Sequence, residues 1–432
     1  MNTYKRWLVV LLAGLLLTTA AAEELWETPP GRARIFNALV DIFEDNYWDP
    51  AYRDWEEWSS VYYDQAVEAD SRSAFDSTLR RMVGELGDDH SRFVGIRTAP
   101  PPSLGEEPVG NLGMGFRHSF VAGNGLVVER VFPNTPAAEV GLHRSDVISH
   151  VNGQDIRKLS SSSEANGALG EAIDSGFVNL RVRRKAVTLA LELEPQVIDF
   201  SSVQGLPQGE MLADNIGYIY LPTFQGEGVA REVHRLLNEL NEQGAQSMVL
   251  DLRDNLGGRL GELGLVLGAF IEGPWVEAMS RDAIVWRSTY RLDDGRGSNV
   301  LESPDGSPFA GDTLATPAQF SGPLSVIVSR RNSSAGEVAA LVLQELERAT
   351  IVGEQTEGNV EAIQSFDLPD GSQVYVAVAN LQGTSGRDYS TGVTPDIPVN
   401  SSLQDLARGF DAPVAEAVRA LKELPFTPGK YF

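Results

Sequence analysis

The sequence predicts a multidomain α+β protein in three parts: a helical region, a small β-rich module, and an α/β region with a largely parallel sheet. Three patterns carry this. Apolar residues recur at helical spacing in residues 31–94, as Phe36, Leu39, Val40, Phe43 and then Phe75, Leu79, Met82, Val83, Leu86. Short apolar runs separated by turn signals, such as GLVVERVF and VNLRVRR, fill residues 109–195. From about residue 213, strand-like and helix-like segments alternate, the pattern of βαβ units. The expected boundaries are 23–98, 107–196 and 197–432, preceded by an export segment over 1–22.

The 432 residues suffice for two or three domains with proper cores. Apolar residues make up 42% and charged residues 22%, the balance of a soluble globular chain. The net charge of -25 disfavours nucleic acid and anionic lipid as partners. The absence of cysteine excludes disulfides, a thiol nucleophile and Cys-ligated metal. Lys5 and Arg6 precede an apolar run, Trp7 to Leu17, of signal-peptide length. Ala20 and Ala22 form an A-x-A site, so cleavage is expected after Ala22 and the product is expected in a periplasm or outside the cell.

The helical region holds an aromatic patch of Trp48, Trp55, Trp58, Tyr62 and Tyr63, read as packing between helices or as a peptide-binding surface. Pro100, Pro101 and Pro102 mark a linker. In the α/β region IGYIYL, SMVLDLR, LSVIVS and TIVGE read as strands, and the segments around 229–240, 260–271 and 333–349 as helices. Residues 273–322, polar and rich in Gly and Pro, read as a long loop or hairpin insertion, and 404–424 as a closing helix.

Two features of the β-rich module carry chemistry. Leu112, Gly113, Met114, Gly115 and Phe116 place Gly at alternate positions, where backbone N–H groups can turn inward on a terminal carboxylate. PNTPAAEVGLHRSDVISHVNG, residues 133–153, joins small residues, Gly-Leu, an acidic turn and a Val-Asn-Gly hairpin. Together they resemble a PDZ domain, which implies that an extended peptide adds as a strand with its C-terminus held by Leu112, Gly113, Met114 and Gly115. A regulatory lid is the alternative use. His118, His143 and His150 read as structural or surface residues.

In the third part, SMVLDLR runs into Asp254-Asn255-Leu256-Gly257-Gly258. A Gly pair at a strand's end lets backbone approach a ligand and suits an oxyanion hole, though a plain tight turn reads the same way. LSVIVS leads through Asn332 to Ser333-Ser334-Ala335-Gly336-Glu337 at the start of a helix. A Ser there is favoured either as a cap or as a nucleophile at the positive end of the helix dipole.

The order D-L-R-x-N-x-G-G, N-S-S-A-x-E, R-A-x-x-V-G-E-x-T-x-G, L-P-D-G-S and G-V-x-P-D resembles the S41 family of C-terminal-processing (tail-specific) peptidases, with an internal PDZ domain. The resemblance runs from the helical region to Asp396. It implies a peptidase core of the ClpP/crotonase type over 197–432, a serine endopeptidase acting on polypeptides with free C-termini, and no cofactor. It puts Ser334 at the nucleophile position, Ala335 and Gly257 at the oxyanion hole, and Asp251, Arg253 and Glu337 in the framework.

One position departs from the family. A Ser/Lys branch carries a Lys after the Thr-x-Gly element, but here Thr356-Glu357-Gly358 is followed by Asn359, and no Lys lies between Lys185 and Lys422. Asn cannot take the serine proton, so another base is needed. His90, in Leu86-Gly87-Asp88-Asp89-His90-Ser91, matches the family's L-G-D-x-H-[ST] element, the region from which the tricorn-like branch draws its His. Glu361 lies two residues beyond Asn359, on the same side of an extended chain, and suits orienting His90 or polarising Ser334 through water. The competing reading is a PDZ-containing peptide-binding scaffold that lost its base. His234 reads as structural, and no His/Asp/Glu cluster has metal-ligand spacing, so no metal is expected.

Overall fold

The computed structural model describes residues 25–49, 51–88, 90–96, 111–199, 203–281 and 283–423, with the side chains of 111 and 112 excepted. The expected signal peptide and the Pro100–Pro102 linker lie outside these residues. Among the described residues no helix is long and apolar enough to cross a membrane. The chain divides into two compact units: residues 1–104, 280–283 and 361–380 form one, and 105–279, 284–360 and 381–432 the other.

The first unit is built on three helices, Pro29–Asn46, Trp55–Val67 and Arg72–Gly84. Thr28, Asp54 and Ser71 cap them, each side-chain oxygen accepting from a backbone N–H three residues on. Their apolar stripes meet in one core in which Phe43, Tyr47, Trp55 and Trp58 pack edge to face or tilted. Of the aromatic patch, Trp55, Trp58 and Tyr62 are buried between helices, Trp48 is half-buried and Tyr63 is exposed. The short strand Arg92–Val94 and the strand Ala362–Asp367 both pair antiparallel with Gln373–Gln382. The L-P-D-G-S turn is fixed by Asp370, whose Oδ1 accepts from Ser372 and whose Oδ2 lies 2.7 Å from the Arg72 guanidinium.

In the second unit, the β-rich module is a sheet of Phe116–Val121, Gly125–Val131, Val147–Val151, Val178–Arg184 and Val187–Leu193 in that spatial order. The helix Ser162–Asp174 packs its alanines and Leu169 against it. Met114 is buried in this core, and a Cβ at Gly115 would sit 2.2 Å from that of Thr135, so the loop before the sheet admits only glycine there.

The α/β region has six strands in the order Gln208–Leu212, Ile216–Tyr220, Ser247–Asp251, Leu324–Val328, Thr350–Gly353, Ile397–Pro398. All neighbours are parallel except the first pair. Burial on both faces explains why these strands read as near-continuous apolar runs. Ile216, Val249, Ile327 and Val352 share one face with Ala417 of the helix Ala412–Glu423. Met248, facing the other way, underlies the helix Val229–Glu242, where Gly209 and Gly217 leave room for Leu236 and Leu240. Asp396 of G-V-x-P-D accepts from Ile351 N–H at 2.7 Å and from the Gln344 amide at 2.9 Å, pinning strand Thr350–Gly353 to its neighbouring helix.

Two expectations are refined. Residues 273–322 are mostly strands, with Ala283–Asp293, Arg296–Glu302 and Pro308–Leu314 forming an antiparallel meander. The closing helix is two helices, Leu403–Ala407 and Ala412–Glu423, with Asp411 in the break. The first packs Leu406 and Ala407 on Val127 and Val147 of the β-rich module, and the second covers the parallel sheet. Between them Asp411 takes the Arg144 Nε at 2.6 Å and the Arg253 Nη1 at 2.9 Å. Arg253 in turn holds Asp251 at the end of its strand, and Tyr218 donates to Asp251 at 2.6 Å.

Burial alone would raise the Asp411 carboxyl, but Arg253 and Arg144 more than reverse that and hold it at about 2. Its folded pKa lies below the unfolded value near 3.9, so this contribution, on the order of 2 kcal/mol, is complete above about pH 4 and is lost as pH falls through about 2. Asp411→Ala is expected to cost about 3–5 kcal/mol in denaturant unfolding at pH 7, because it strips a buried Arg of a partner. The deficit of Asp411→Asn against the wild type is expected to shrink when the same measurement is repeated toward pH 2.

Candidate active site

The strand Ser247–Asp251 and the strand Leu324–Val328 are parallel neighbours, so the loops that leave their C-terminal ends meet above the sheet. The first loop is organised by Asn255, which is fully buried. Its Nδ2 donates to Leu221 O at 3.1 Å, its Oδ1 accepts from Gly257 N–H at 2.8 Å, and its backbone O accepts from Ser333 N–H at 3.2 Å. Asn332, also buried, ties the second loop to the first by donating to Leu252 O while accepting from Ser329 N–H.

Ser334 stands at the junction with the helix Ala335–Glu345, at φ +53° and ψ -130°, and its side chain makes no capping bond. A non-glycine residue in this sparsely populated region carries strain on the order of 1–3 kcal/mol. The strain is held from three sides. Ser334 N–H donates to Asn359 O at 2.7 Å. Ser334 O accepts from Glu337 N–H at 2.8 Å and Val338 N–H at 3.0 Å. Gly257, at φ +96°, packs so closely that a Cβ there would lie 2.7 Å from Ser334 Cβ and 3.1 Å from Ala335 N. Ala335 N–H heads the helix, where no intrahelical acceptor exists for it. The close packing thus brings Ser334, the Gly257 backbone and the Ala335 N–H together at a helix N-terminus.

The clamp on this junction is Glu337. It is fully buried and accepts from Gly358 N–H at 2.7 Å and Asn359 N–H at 3.0 Å. Burial raises its carboxyl, and these bonds, with Thr356, only partly offset that. Asn359 therefore serves through its backbone, while its Oδ1 is buried and unpaired among the described residues.

His90 and Glu361 both belong to the first unit. His90 is buried, and its Nδ1 lies 2.8 Å from Glu361 Oε2. A carboxylate at Nδ1 keeps the ring proton there and leaves the Nε2 lone pair for accepting a proton. Ser334, Gly257 and Ala335 belong to the second unit.

The Gly115 loop lies beside further contacts between the β-rich module and the α/β region. Arg117 donates to Asp254 at 3.0 Å, and Tyr220 donates to the same carboxylate at 2.8 Å. Burial would raise Asp254, but Arg117 and the Tyr220 hydroxyl outweigh it and hold the carboxyl below its ordinary value. Arg130 lies between the rings of Phe132 and Tyr220. His234, read as structural, donates from Nε2 to Leu265 O and accepts at Nδ1 from Ala318 N–H, which leaves it no free nitrogen. The sequence reading passed over Asn255, Asn332 and Asp411. The first two sit in D-N-L-G-G and N-S-S-A, where a buried Asn beside a Gly or Ser turn is the available signal.

Residues 215–399 match the description "Peptidase family S41", and 104–169 match "PDZ domain". The chain carries a peptidase domain of family S41. It is a serine-type hydrolase that acts on polypeptides, with an internal PDZ domain. Among relatives of this S41 peptidase, "Carboxyl-terminal-processing peptidase 2, chloroplastic" of Arabidopsis thaliana is 27% identical over 91% of this chain and 75% of its own length. "Carboxy-terminal processing protease CtpA" of Bacillus subtilis is 25% identical over 91% and 77%. In fold, the S41 peptidase resembles a Bacteroides fragilis crystal structure assigned to the S41 proteases, with TM-score 0.54, 16% identity, and coverage of 89% of this chain and 96% of that one.

Gly257→Ala is expected to lose on the order of 2–3 kcal/mol, since it adds a clash with Ser334 to an unfavourable φ. Gly123→Ala, with φ +78° and open space around the new methyl, is expected to lose only the smaller backbone part. Calorimetric unfolding of the two variants separates the terms.

Proposed function

We propose that this S41 peptidase cleaves polypeptides recognised at or near their C-termini through the PDZ domain, with Ser334 as nucleophile and His90, oriented by Glu361, as general base. The observation that carries the reading is the 2.8 Å contact between His90 Nδ1 and Glu361 Oε2, which supplies a base with its orienter where the family's Lys is replaced by Asn359. The strained backbone of Ser334 at a helix N-terminus supports the nucleophile.

Ser334 Oγ attacks the scissile carbonyl carbon and its proton passes to His90 Nε2. The carbonyl oxygen becomes an oxyanion held by backbone N–H groups, with Ala335 and Gly257 in that role. Gly257 N–H donates to Asn255 Oδ1 in the resting arrangement, so its part requires that bond to be shared or exchanged. Collapse of the intermediate breaks the C–N bond, and the leaving amine takes the proton from His90. Water, deprotonated by His90, then attacks the ester carbon and releases Ser334. Glu361 stays ionised and stabilises the imidazolium.

Relatives named as carboxyl-terminal-processing peptidases, together with the PDZ match, support recognition of a free C-terminus. Leu112, Gly113, Met114 and Gly115 are the residues we assign to holding that carboxylate. Lys5, Arg6, the Trp7–Leu17 run and the lack of cysteine support export with cleavage after Ala22, to a periplasm or outside the cell. The domain limits that fit are 23–98 helical, 107–196 PDZ and 197–432 peptidase.

Ser334→Ala is expected to abolish labelling by a fluorophosphonate probe and to lower kcat on the order of 10⁴-fold or more. His90→Ala is expected to match it, and Glu361→Gln to lose roughly 10³–10⁴-fold with KM unchanged. Labelling that survives Ser334→Ala removes the nucleophile assignment. A wild-type protein that binds peptide yet never labels or cleaves is the degenerate scaffold. In a binding titration, a peptide with a free C-terminus is expected to bind roughly 10–100-fold more tightly than its C-terminal amide, because charge-assisted bonds are lost.

A further inference from the structure

His90 is carried by a turn with no regular secondary structure, between the helix Arg72–Gly84 and the strand Arg92–Val94. An imidazole on such a turn is aimed by the backbone beneath it, and that backbone is fixed at several points. Asp88 Oδ1 accepts from His90 N–H at 3.1 Å and from Ser91 N–H at 2.6 Å, an Asx turn that spans the His90 peptide. Ser91 Oγ accepts from Ala377 N–H at 3.0 Å and fastens the far end to the strand Gln373–Gln382. Arg92 donates to His90 O at 3.2 Å, with its guanidinium 4.3 Å from the Tyr375 ring centroid. Tyr47 lies on the other side of Asp88, and burial with that neighbouring carboxylate keeps its phenol neutral.

We propose that Asp88 is a positioning residue for the peptidase reaction: its carboxylate sets the turn that aims His90, with Nδ1 on Glu361. The proposal rests on the reading of His90 as the general base. Both Oδ1 bonds reach only two and three residues along the chain and so shape a local turn, while the Tyr47 phenol borders the same carboxylate. The work falls to Oδ1 as an acceptor. Asn keeps that acceptor and loses only the charge, whereas Ala loses both. A base displaced by about 1 Å costs roughly 10²-fold in rate, which sets the size of the effect.

The test uses the full chain and a mutant cycle of Asp88→Ala, Asp88→Asn, His90→Ala and the Asp88→Ala/His90→Ala pair. Readouts are kcat and KM on a peptide, the rate of fluorophosphonate labelling, and the unfolding midpoint. Asp88→Ala is expected to lower kcat and labelling by roughly 10²-fold with KM unchanged. Asp88→Asn is expected to restore most of both. In the His90→Ala background, Asp88→Ala is expected to cost nothing more, because the group it aims is gone. An equal loss in that background would overturn the proposal while leaving His90 as base. So would an Asp88→Asn variant as impaired as Asp88→Ala. A His90→Ala enzyme at wild-type rate would overturn the base reading, and the proposal with it. Should Asp88→Ala not fold, Asp88→Ser, which keeps one acceptor oxygen, takes its place in the cycle.

Discussion

The α/β half of this peptidase depends on one crowded junction, where Ser334 is bent to a positive φ against a glycine that leaves it no spare room. The strain is kept by bonds from elements far apart in sequence: Asn359 O takes the Ser334 N–H, and Asn255 O takes the Ser333 N–H. Small residues follow from the same crowding. A Cβ at Gly336 would fall 2.5 Å from Asn255 O, so the start of the helix can approach the loop of Asn255 and Gly257 only without a side chain there. The N-S-S-A-G-E and D-N-L-G-G motifs are two sides of one packed surface, and neither reads as necessary without the other.

Glu337 extends the junction outward. Its buried carboxylate satisfies two backbone N–H groups of the loop that carries Asn359 and continues to Glu361. A carboxylate can accept both bonds at once without a proton of its own to place. The loop's course therefore does not depend on the side chain at position 359, since backbone groups hold it.

Much of this was legible in the sequence. Periodicity located the first and third N-terminal helices, and alternation of apolar runs located the parallel strands, because each element's pattern is set by its own burial. The spacing of Gly257 and Ser334 from their strands put them on neighbouring loops, since strand ends fix where loops begin. The pairing of His90 with Glu361, 271 residues apart, was reached by matching family elements and by asking which acid shares a side with the missing Lys. What stayed hidden depends on partners that no local window contains. Residues 273–322 looked like loop because strands such as Arg296–Glu302 and Pro308–Leu314 are half exposed or exposed and carry few apolar residues. The closing helix looked continuous because helical spacing runs across 404–424, and only the two arginines that Asp411 reaches explain the break.

That break bears on how the two parts of the second unit are joined. Arg144 and Arg253 sit 267 and 158 residues ahead of the carboxylate that joins them. Arg253 already has Asp251 as a partner, so what Asp411 adds is a link from that pair to Arg144 of the β-rich module. The last helices arrive as a strap, one on each half, with Asp411 between. The link between the PDZ domain and the parallel sheet thus rests on a carboxylate that follows every strand of that sheet in the chain.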